Sequence, residues 1–228
     1  MANPPFETKK DYILRRVKQK ILDGEYGPGD RLKVRQLAAE FGTSEIPVRE
    51  AITQLAATGL VTITPHVGAV ASPLSAQDLK EIFEIRSALE TLATRLAADR
   101  LTPDGLQQIQ GIQSRLRQAV DEGGHDVDEL NQMNRAFHMA IYHHSENKRL
   151  VAMIDELWNH AGRYPGPLTG HNEVTYQSLA DHDAILAALK AGDGTLAAQL
   201  TEEHKNRAMH RIIALVQERE QALSSSRS

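Results

Sequence analysis

Apolar residues recur at helical spacing along most of the chain, with one short exception near residue 60. A first helix is predicted from about Lys9 to Gly24, because its apolar residues form one stripe. Two further helical segments, at about residues 34–41 and 44–55, are separated by Gly42. A helix, a short glycine-containing turn and a second helix form the helix-turn-helix plan, whose second helix enters the major groove of DNA.

The exception is an alternating β-branched run at residues 59–64, which is followed by a turn and a second short run at residues 69–71. This alternation predicts two paired strands, and strands in this position form a two-stranded wing. The pattern therefore predicts a winged helix-turn-helix DNA-binding domain over residues 1–72. Residues 73–75 are predicted to be a linker.

From residue 76 onward the pattern is helical and contains no convincing strand. Glycine and proline clusters divide this part into six predicted helices. Their approximate bounds are 76–99, 103–121, 126–144, 147–161, 174–191 and 194–220. The predicted fold class is therefore mainly α, with an antiparallel six-helix bundle over residues 76–222 after the winged domain. Residues 223–228 are predicted to be a disordered tail.

Composition narrows the class of protein. The chain has no cysteine, which excludes disulfides and thiolate metal sites. It has no run of about 20 apolar residues, so we predict no membrane contact and a cytoplasmic, nucleoid-associated protein. The net charge of −4 is unevenly distributed, because residues 1–72 carry 10 Lys and Arg against 8 Asp and Glu. A mildly basic first domain joined to an acidic remainder suits a nucleic-acid module attached to another function.

Several residues of the first domain are candidates for DNA contact. Arg49 lies near the start of the predicted recognition helix, where its guanidinium can bind guanine through two hydrogen bonds. The alternative is a surface ion pair between Arg49 and Glu45, four residues earlier. Ser44 and the turn amides can bind phosphate, and His66 and Gly68 lie at the predicted wing tip. The predicted DNA-binding residues are Lys33, Arg35, Ser44, Glu45, Arg49, His66 and Gly68.

These motifs carry a family resemblance. Residues 12–72 resemble the GntR-family winged helix, with the Pro-Val-Arg-Glu-Ala segment and the Gly-Leu-Val wing in the expected order. The remainder is similar to the helical ligand-sensing FCD domain of the FadR-type branch. Glu45 and Ile46 depart from the family pattern, in which most relatives have Arg and Thr. An acidic side chain facing DNA repels phosphate or accepts from a cytosine amino group, so the usual operator of the branch is not expected.

A set of polar residues in the second domain has the spacing of a metal site. Asn134 and His138 are four residues apart and share a helix face, while His182 and His204 come from later helices. Converging imidazoles suit Zn, Ni or Cu, although each could instead be a solvated or core-packed histidine. The resemblance favours a metal, since FCD domains commonly ligate one with Asp or Asn and three histidines in this order. Asn134 in place of Asp removes one negative charge, which favours an anionic effector.

The resemblance also suggests effector contacts. It implies that Arg86 lies near the cavity, where a guanidinium could bind an effector carboxylate. The alternative is a buried ion pair between Arg86 and Glu90 or a carboxylate of another helix. Arg163 and Tyr164 precede the Pro-Gly-Pro loop and are predicted to line the pocket rim.

The leading hypothesis is a metabolite-responsive bacterial-type transcriptional regulator, a repressor by family analogy. It would bind a palindromic double-stranded operator as a homodimer, and a small carboxylate effector would coordinate the Zn or Ni of the helical domain. One alternative is an architectural DNA-binding protein whose bundle only dimerises. The other, a metal-dependent hydrolase or lyase, is not favoured because the chain has no catalytic motif such as His-Glu-x-x-His. No enzyme is predicted.

Overall fold

The computed structural model describes residues 8–23, 25–73, 75–162, 164–168 and 172–225. Helices dominate this part of the chain, with one small sheet, and the predicted fold class is confirmed. The elements are α1 (Lys9–Leu22), α2 (Val34–Glu40), α3 (Glu45–Ala57), β1 (Val61–Thr64), β2 (Gly68–Ala71), α4 (Ala76–Ala98), α5 (Pro103–Glu122), α6 (Val127–His143), α7 (Lys148–Ala161), α8 (Glu173–Lys190) and α9 (Gly194–Ser225).

The first three helices and the wing share one apolar core. On α1 the buried residues are spaced four apart, so they lie on one face, and this face contributes to the core shared with α3. Thr8 begins α1, because its side-chain oxygen accepts from the Asp11 amide at 3.1 Å. The largest contributors to this core are Ile13, Val17, Ile21, Leu32, Leu37, Val48, Ile52, Leu55, Leu60 and Val61.

The wing contains a pairing that was not predicted. Strands β1 and β2 are antiparallel, with Val61 opposite Ala71. The segment at residues 29–32, which joins α1 to α2, also bonds to β2. Here the Leu32 amide donates to the Ala69 carbonyl at 2.9 Å, and the Ala71 amide donates to the Asp30 carbonyl at 2.9 Å. Strand β2 is therefore hydrogen-bonded both to β1 and to the α1–α2 connection.

The helical domain, α4 to α9, is built around a second apolar core. Side chains cap several of its helices, as Thr102 does by accepting from the Gly105 amide at 3.1 Å. Asp126 and Asn172 cap α6 and α8 in the same way. The core includes Ala93, Ala97, Ile109, Phe137, Ile141, Tyr142, Ile154, Ile185, Leu189 and Ala197. It also encloses polar residues of α4, α6, α8 and α9, and these form the site described below.

The described part of the chain divides into two compact units. The first comprises the described parts of Met1–Asp78, Asn159–Pro165 and Val216–Ser228, and the second comprises those of Leu79–Trp158 and Gly166–Leu215. The ends of α7 and α9 therefore belong with the winged domain.

The end of α9 also differs from the prediction of a disordered tail from residue 223. The helix continues to Ser225 because neither glycine nor proline ends it earlier, while residues 226–228 lie outside the described part. None of the described helices combines the length and the apolar content that a membrane span requires.

Candidate functional site

The recognition helix α3 is held by its buried face and presents the opposite face to solvent. Val48, Ala51, Ile52 and Leu55 are buried, whereas Ile46 is 68% exposed. Ser44 occupies the N-cap position with an extended backbone, but its hydroxyl forms no capping hydrogen bond. The predicted cap is therefore present in backbone geometry only.

The carboxylate of Glu45 joins two of the predicted DNA-binding residues. Arg49 Nη2 donates to Glu45 Oε2 at 2.7 Å, and Arg35 Nε donates to Glu45 Oε1 at 3.2 Å. The hydrogen bond from Arg49 is the main reason that the pKa of Glu45 is lowered. The ion pair between Glu45 and Arg49, which the spacing left as an alternative to DNA contact, is therefore present. Both arginine side chains remain largely exposed, at 91% for Arg35 and 65% for Arg49.

The remaining DNA-binding candidates also lie at the surface of the first unit. His66 and Gly68 form the exposed wing tip, with φ values of 62° and 94°. The left-handed region is costly for a residue with a Cβ, so Gly68 suits its position, and His66 carries local strain. Lys33 is exposed at the N-cap of α2, two residues before Arg35.

Three histidines from three helices meet in the core of the helical domain. His138 of α6, His182 of α8 and His204 of α9 are 1%, 0% and 3% exposed. One ring nitrogen from each lies within 4.8 Å of the others. The structure thus brings together the three histidines that the sequence pattern grouped.

Gln113 of α5 determines the tautomer of His182. The Gln113 Nε2 amide donates to the Leu179 carbonyl at 3.0 Å and to Asp183 Oδ1 at 3.1 Å. Gln113 Oε1 therefore faces His182 Nδ1, at 3.0 Å. Because an amide oxygen only accepts, Nδ1 of His182 carries the proton and Nε2 keeps a lone pair.

Asp181 gives His204 the same tautomer, with the proton on Nδ1. His204 Nδ1 donates to Asp181 Oδ2 at 3.1 Å, and Arg207 and Gln177 hold the same carboxylate. Burial alone would raise the pKa of Asp181, but the hydrogen bonds from His204 and Gln177 lower it. Nε2 of His204 is thereby left without a proton, as expected for a carboxylate–histidine pair beside a metal.

The third histidine is linked to a buried carboxylate. Tyr142 donates its hydroxyl proton to Glu90 Oε2 at 2.5 Å, and its oxygen lies 3.5 Å from His138 Nδ1. Because the Tyr142 hydroxyl uses its one hydrogen in the bond to Glu90, its oxygen can only accept a hydrogen bond from His138. All three imidazoles therefore have the same tautomer, with the proton on Nδ1.

The buried polar atoms fit a cation. Asn134 Oδ1, His138 Nε2 and His182 Nε2 have no hydrogen-bond partner among the described residues. Leaving a buried polar atom unpaired costs about 1–3 kcal/mol. Burial, together with the neighbouring positive charges, lowers the pKa of each of the three histidines, so the imidazoles are neutral. Neutral imidazoles with free lone pairs match the donor set of a borderline cation such as Zn²⁺, and Asn134, one helical turn before His138 on α6, carries an unpaired amide oxygen.

A buried charge cluster adjoins the histidines. Glu90 Oε1 accepts from Arg86 Nε at 2.8 Å, and Glu90 Oε2 lies 2.7 Å from Lys205 Nζ. Burial would raise the pKa of Glu90, but the charges of Arg86 and Lys205 hold it at about 2. Burial lowers the pKa of Lys205 to about 8 despite Glu90. Trp158 packs on both cations, with its ring 4.0 Å from Arg86 Cζ and 4.6 Å from Lys205 Nζ.

The predicted effector residues have different outcomes. Arg86 forms the buried ion pair with Glu90 that was the alternative to effector binding, and it lies in the cluster beside the histidines. Tyr164 is only 2% exposed, and its hydroxyl contacts the Ser75 carbonyl at 3.0 Å and Asp78 Oδ2 at 2.8 Å. This hydroxyl is engaged by the chain, so Tyr164 does not present it at a pocket rim as predicted. Arg163 lies outside the described residues.

Sequence reasoning missed four residues that orient the site: Gln113, Tyr142, Asp181 and Lys205. Tyr142 lies four residues after His138, Asp181 precedes His182 and Lys205 follows His204. Their positions in the sequence therefore gave a weak indication that these three residues are near the site. Gln113 had none, because it is 69 residues from His182.

A winged helix with exposed arginines followed by a helical domain with a buried polar site is the arrangement of a DNA-binding regulator with a second, helical domain. The profile of bacterial regulatory proteins of the gntR family matches residues 9–70, and that of the FCD domain matches residues 81–222. The chain therefore belongs to the GntR family of transcriptional regulators and carries an FCD domain. Regulators of this family bind DNA operators.

Individual relatives agree with this assignment. The HTH-type transcriptional regulator McbR of Escherichia coli (strain K12) is 34% identical over 181 residues, covering 78% of this chain and 80% of McbR. The structure of E. coli McbR/YncC matches with a TM-score of 0.67 at 29% identity, covering 93% of this chain and 99% of that one. A probable D-xylose utilization operon transcriptional repressor of Paenarthrobacter nicotinovorans is 30% identical over 198 residues, which cover 86% of this chain and 83% of the repressor. These relatives are transcriptional regulators, which confirms the prediction that the chain is not an enzyme.

Proposed function

We propose that this regulator binds a palindromic operator as a homodimer, and that a small carboxylate effector bound at a metal site in the helical domain changes its affinity for DNA. The DNA-contacting surface comprises the start of α2, the exposed face of α3 and the wing tip. Two such surfaces related by a twofold axis would fit two half-sites about one DNA turn apart. The residues assigned to this surface are Lys33, Arg35, Ser44, Glu45, Arg49, His66 and Gly68.

The observation that carries the sensing part is the convergence of unpaired acceptors in the core. His138, His182 and His204 turn their Nε2 atoms away from the partners that fix Nδ1, and Asn134 Oδ1 is unpaired nearby on the same helix as His138. These four residues would hold Zn²⁺ or Ni²⁺. A divalent cation held there would act as a Lewis acid that a carboxylate could coordinate.

The charge beside the histidines supports an anionic effector. Arg86 and Lys205 contribute two positive charges against the single negative charge of Glu90, and all three side chains are at most 4% exposed. A bound anion would compensate such a buried excess of positive charge. The Trp158 indole Nε1 is also buried without a partner among the described residues, and it offers a further donor.

Sensing requires that the effector prefer one arrangement of the protein over another. We propose that effector binding weakens operator binding. Two of the relatives support this direction, since they are named as repressors: the D-xylose utilization regulator and GlaR of E. coli.

The test begins with metal analysis of the full-length protein and with selection of its preferred sequence from a pool of random DNA duplexes. We expect about one Zn or Ni per chain and one enriched palindrome. Binding to that duplex is then titrated with di- and tricarboxylates, before and after chelation. We expect a carboxylate to weaken binding in the metal-loaded protein only.

Two variants separate sensing from DNA binding. His182→Ala is expected to lose the cation and the carboxylate response while it still binds the selected duplex. The control is His210→Ala on α9, where the exposed histidine is hydrogen-bonded to the Asn206 carbonyl. This variant should keep both the cation and the carboxylate response. Wild-type protein that takes up no cation and responds to no carboxylate would instead be an architectural DNA-binding protein.

A further inference from the structure

The predicted DNA-binding surface contains an acidic residue, Glu45, although it is basic side chains that give a protein affinity for DNA. We propose that Glu45 is a specificity-determining residue of the DNA interface, which positions Arg35 and Arg49 as one unit and limits their use on phosphate. The inference rests on the proposed function in one respect, namely that this surface binds DNA.

The geometry makes Glu45 a bridge between two helices. Each oxygen of its carboxylate accepts from a different arginine, Oε2 from Arg49 on the same helix and Oε1 from Arg35 on α2. Arg49 is engaged through one hydrogen of Nη2, and Arg35 is engaged through Nε. Since a guanidinium has five N–H donors, each arginine retains enough donors for a contact with DNA.

The exposure of this trio argues against a role in stability. Arg35 is 91% exposed and Arg49 is 65% exposed, and ion pairs in such positions contribute little to folding. The bridge therefore matters when the surrounding water is replaced by DNA. In that state the position of each guanidinium decides which acceptor it reaches.

The effect on DNA binding follows from counting charges. Affinity for any DNA sequence rises with the number of phosphates that the protein neutralises. Glu45 reduces the trio to a single net positive charge and keeps both arginines from turning freely toward phosphate. A base edge at the correct position can still bind the donors that remain, so the carboxylate lowers non-specific affinity more than specific affinity.

Another acid of the same helix provides a control. Glu50 follows Arg49 directly and is exposed, and its carboxylate forms no ion pair with a described residue. Glu45→Gln and Glu50→Gln therefore remove the same charge from α3, but only the first breaks the bridge. Glu45→Asp retains the charge and shortens the side chain by one methylene, so it cannot span both arginines at the observed distances.

The experiment measures the affinity of each full-length variant for two duplexes at several salt concentrations. One duplex is the sequence that wild-type protein selects from a random pool, and the other is a scrambled duplex of the same composition. For Glu45→Gln we expect tighter binding to the scrambled duplex and a specificity ratio lower by about tenfold, the scale of one base contact. The salt dependence should steepen by about one to two units, since two arginines become available to phosphate.

The other variants decide between a bridge and simple repulsion. We expect Glu45→Asp to lower the specificity ratio as Glu45→Gln does, and Glu50→Gln to leave it unchanged. In an Arg49→Ala background, Glu45→Gln should cause a smaller further loss of the ratio, because only Arg35 is then released. The inference is overturned if Glu50→Gln lowers the ratio equally, if Glu45→Asp behaves as wild type, or if Glu45→Gln retains the full ratio. A wild type that enriches no sequence overturns the operator-binding proposal as well, which distinguishes the two failures.

Discussion

The molecule contains the same arrangement of charges twice, once in each compact unit. In the winged domain, Glu45 bridges Arg35 and Arg49, and in the helical domain Glu90 bridges Arg86 and Lys205. In each trio one carboxylate meets two cations through separate oxygens, and one of the two pairs is spaced four residues apart on a helix. The trios differ in burial: the exposed cations are 91% and 65% accessible, whereas both buried cations are 4% accessible.

The difference shows that an ion-pair geometry does not by itself define a role. In water the exposed trio gains little and can exchange partners with DNA at small cost. In the core each charge has already lost its hydration, so removing one partner leaves the others uncompensated. The first trio is therefore suited to recognition, and the second to maintaining the fixed geometry of the buried polar site.

The largest expected effect comes from neutralising the buried carboxylate. Glu90→Gln leaves Arg86 and Lys205 in the core without their counter-charge, and we expect it to lower the free energy of unfolding by about 3–5 kcal/mol. Urea denaturation measures this loss. The control is Glu84→Gln on the same helix, whose side chain is 58% exposed, and a loss no larger than that of the control would contradict the prediction.

Removal of a single hydroxyl should have the next largest effect. Tyr142→Phe takes away the donor to Glu90 Oε2 and the acceptor of His138 Nδ1, and we expect a loss of about 1–3 kcal/mol for the unpaired buried groups. Tyr176→Phe is the matched control, because its hydroxyl also donates to a carboxylate, that of Asp121, but at the surface. Equal melting temperatures for the two variants would argue against a distinct buried network.

The orientation of one histidine can be tested through its partner. Gln113→Ala removes the acceptor that fixes the tautomer of His182, and we expect the affinity for Zn²⁺ to fall by about 10–100-fold. Competition with a chromogenic chelator measures that affinity. Gln118→Ala on the same helix, where the side chain bonds to Glu122 at the surface, should bind Zn²⁺ as wild type does. Unchanged affinity in Gln113→Ala would remove Gln113 from the site.

The smallest expected effect completes the comparison. Glu45→Gln breaks the exposed trio as Glu90→Gln breaks the buried one, but the two arginines remain hydrated. We expect a midpoint of urea denaturation that is indistinguishable from that of wild type. A clear loss of stability would mean that the bridge between α2 and α3 supports the fold, and the contrast between the two trios would then not hold.

Local spacing accounts for much of what the sequence could predict. Helical periodicity located the helices of the part of the chain that the structure describes, and alternation near residue 60 located the wing. The pair Glu45–Arg49 was open to prediction because residues four apart are neighbours on a helix. Spacing relates only Asn134 to His138, so grouping these two with His182 and His204 gained its main support from the family resemblance.

The features that the sequence could not predict depend on contacts between segments that are distant in sequence. Arg35 reaches Glu45 across the turn between two helices, and Lys205 meets Glu90 only because α9 packs beside α4. Gln113 lies on a helix that carried no functional signal. The pairing of residues 29–32 with β2 was hidden because a glycine- and proline-rich segment has the composition of a turn.

That last pairing has a mechanical consequence. Residues 29–32 are joined to β2 by backbone hydrogen bonds, and the same segment leads directly into α2. The wing, α2 and α3 are therefore parts of one rigid DNA-binding unit. A displacement delivered at its C-terminal end, near Ser72, would carry Arg35, Arg49 and His66 together. Such a unit would change its alignment with DNA as a whole, so the distances between its own DNA contacts would stay fixed while it moves.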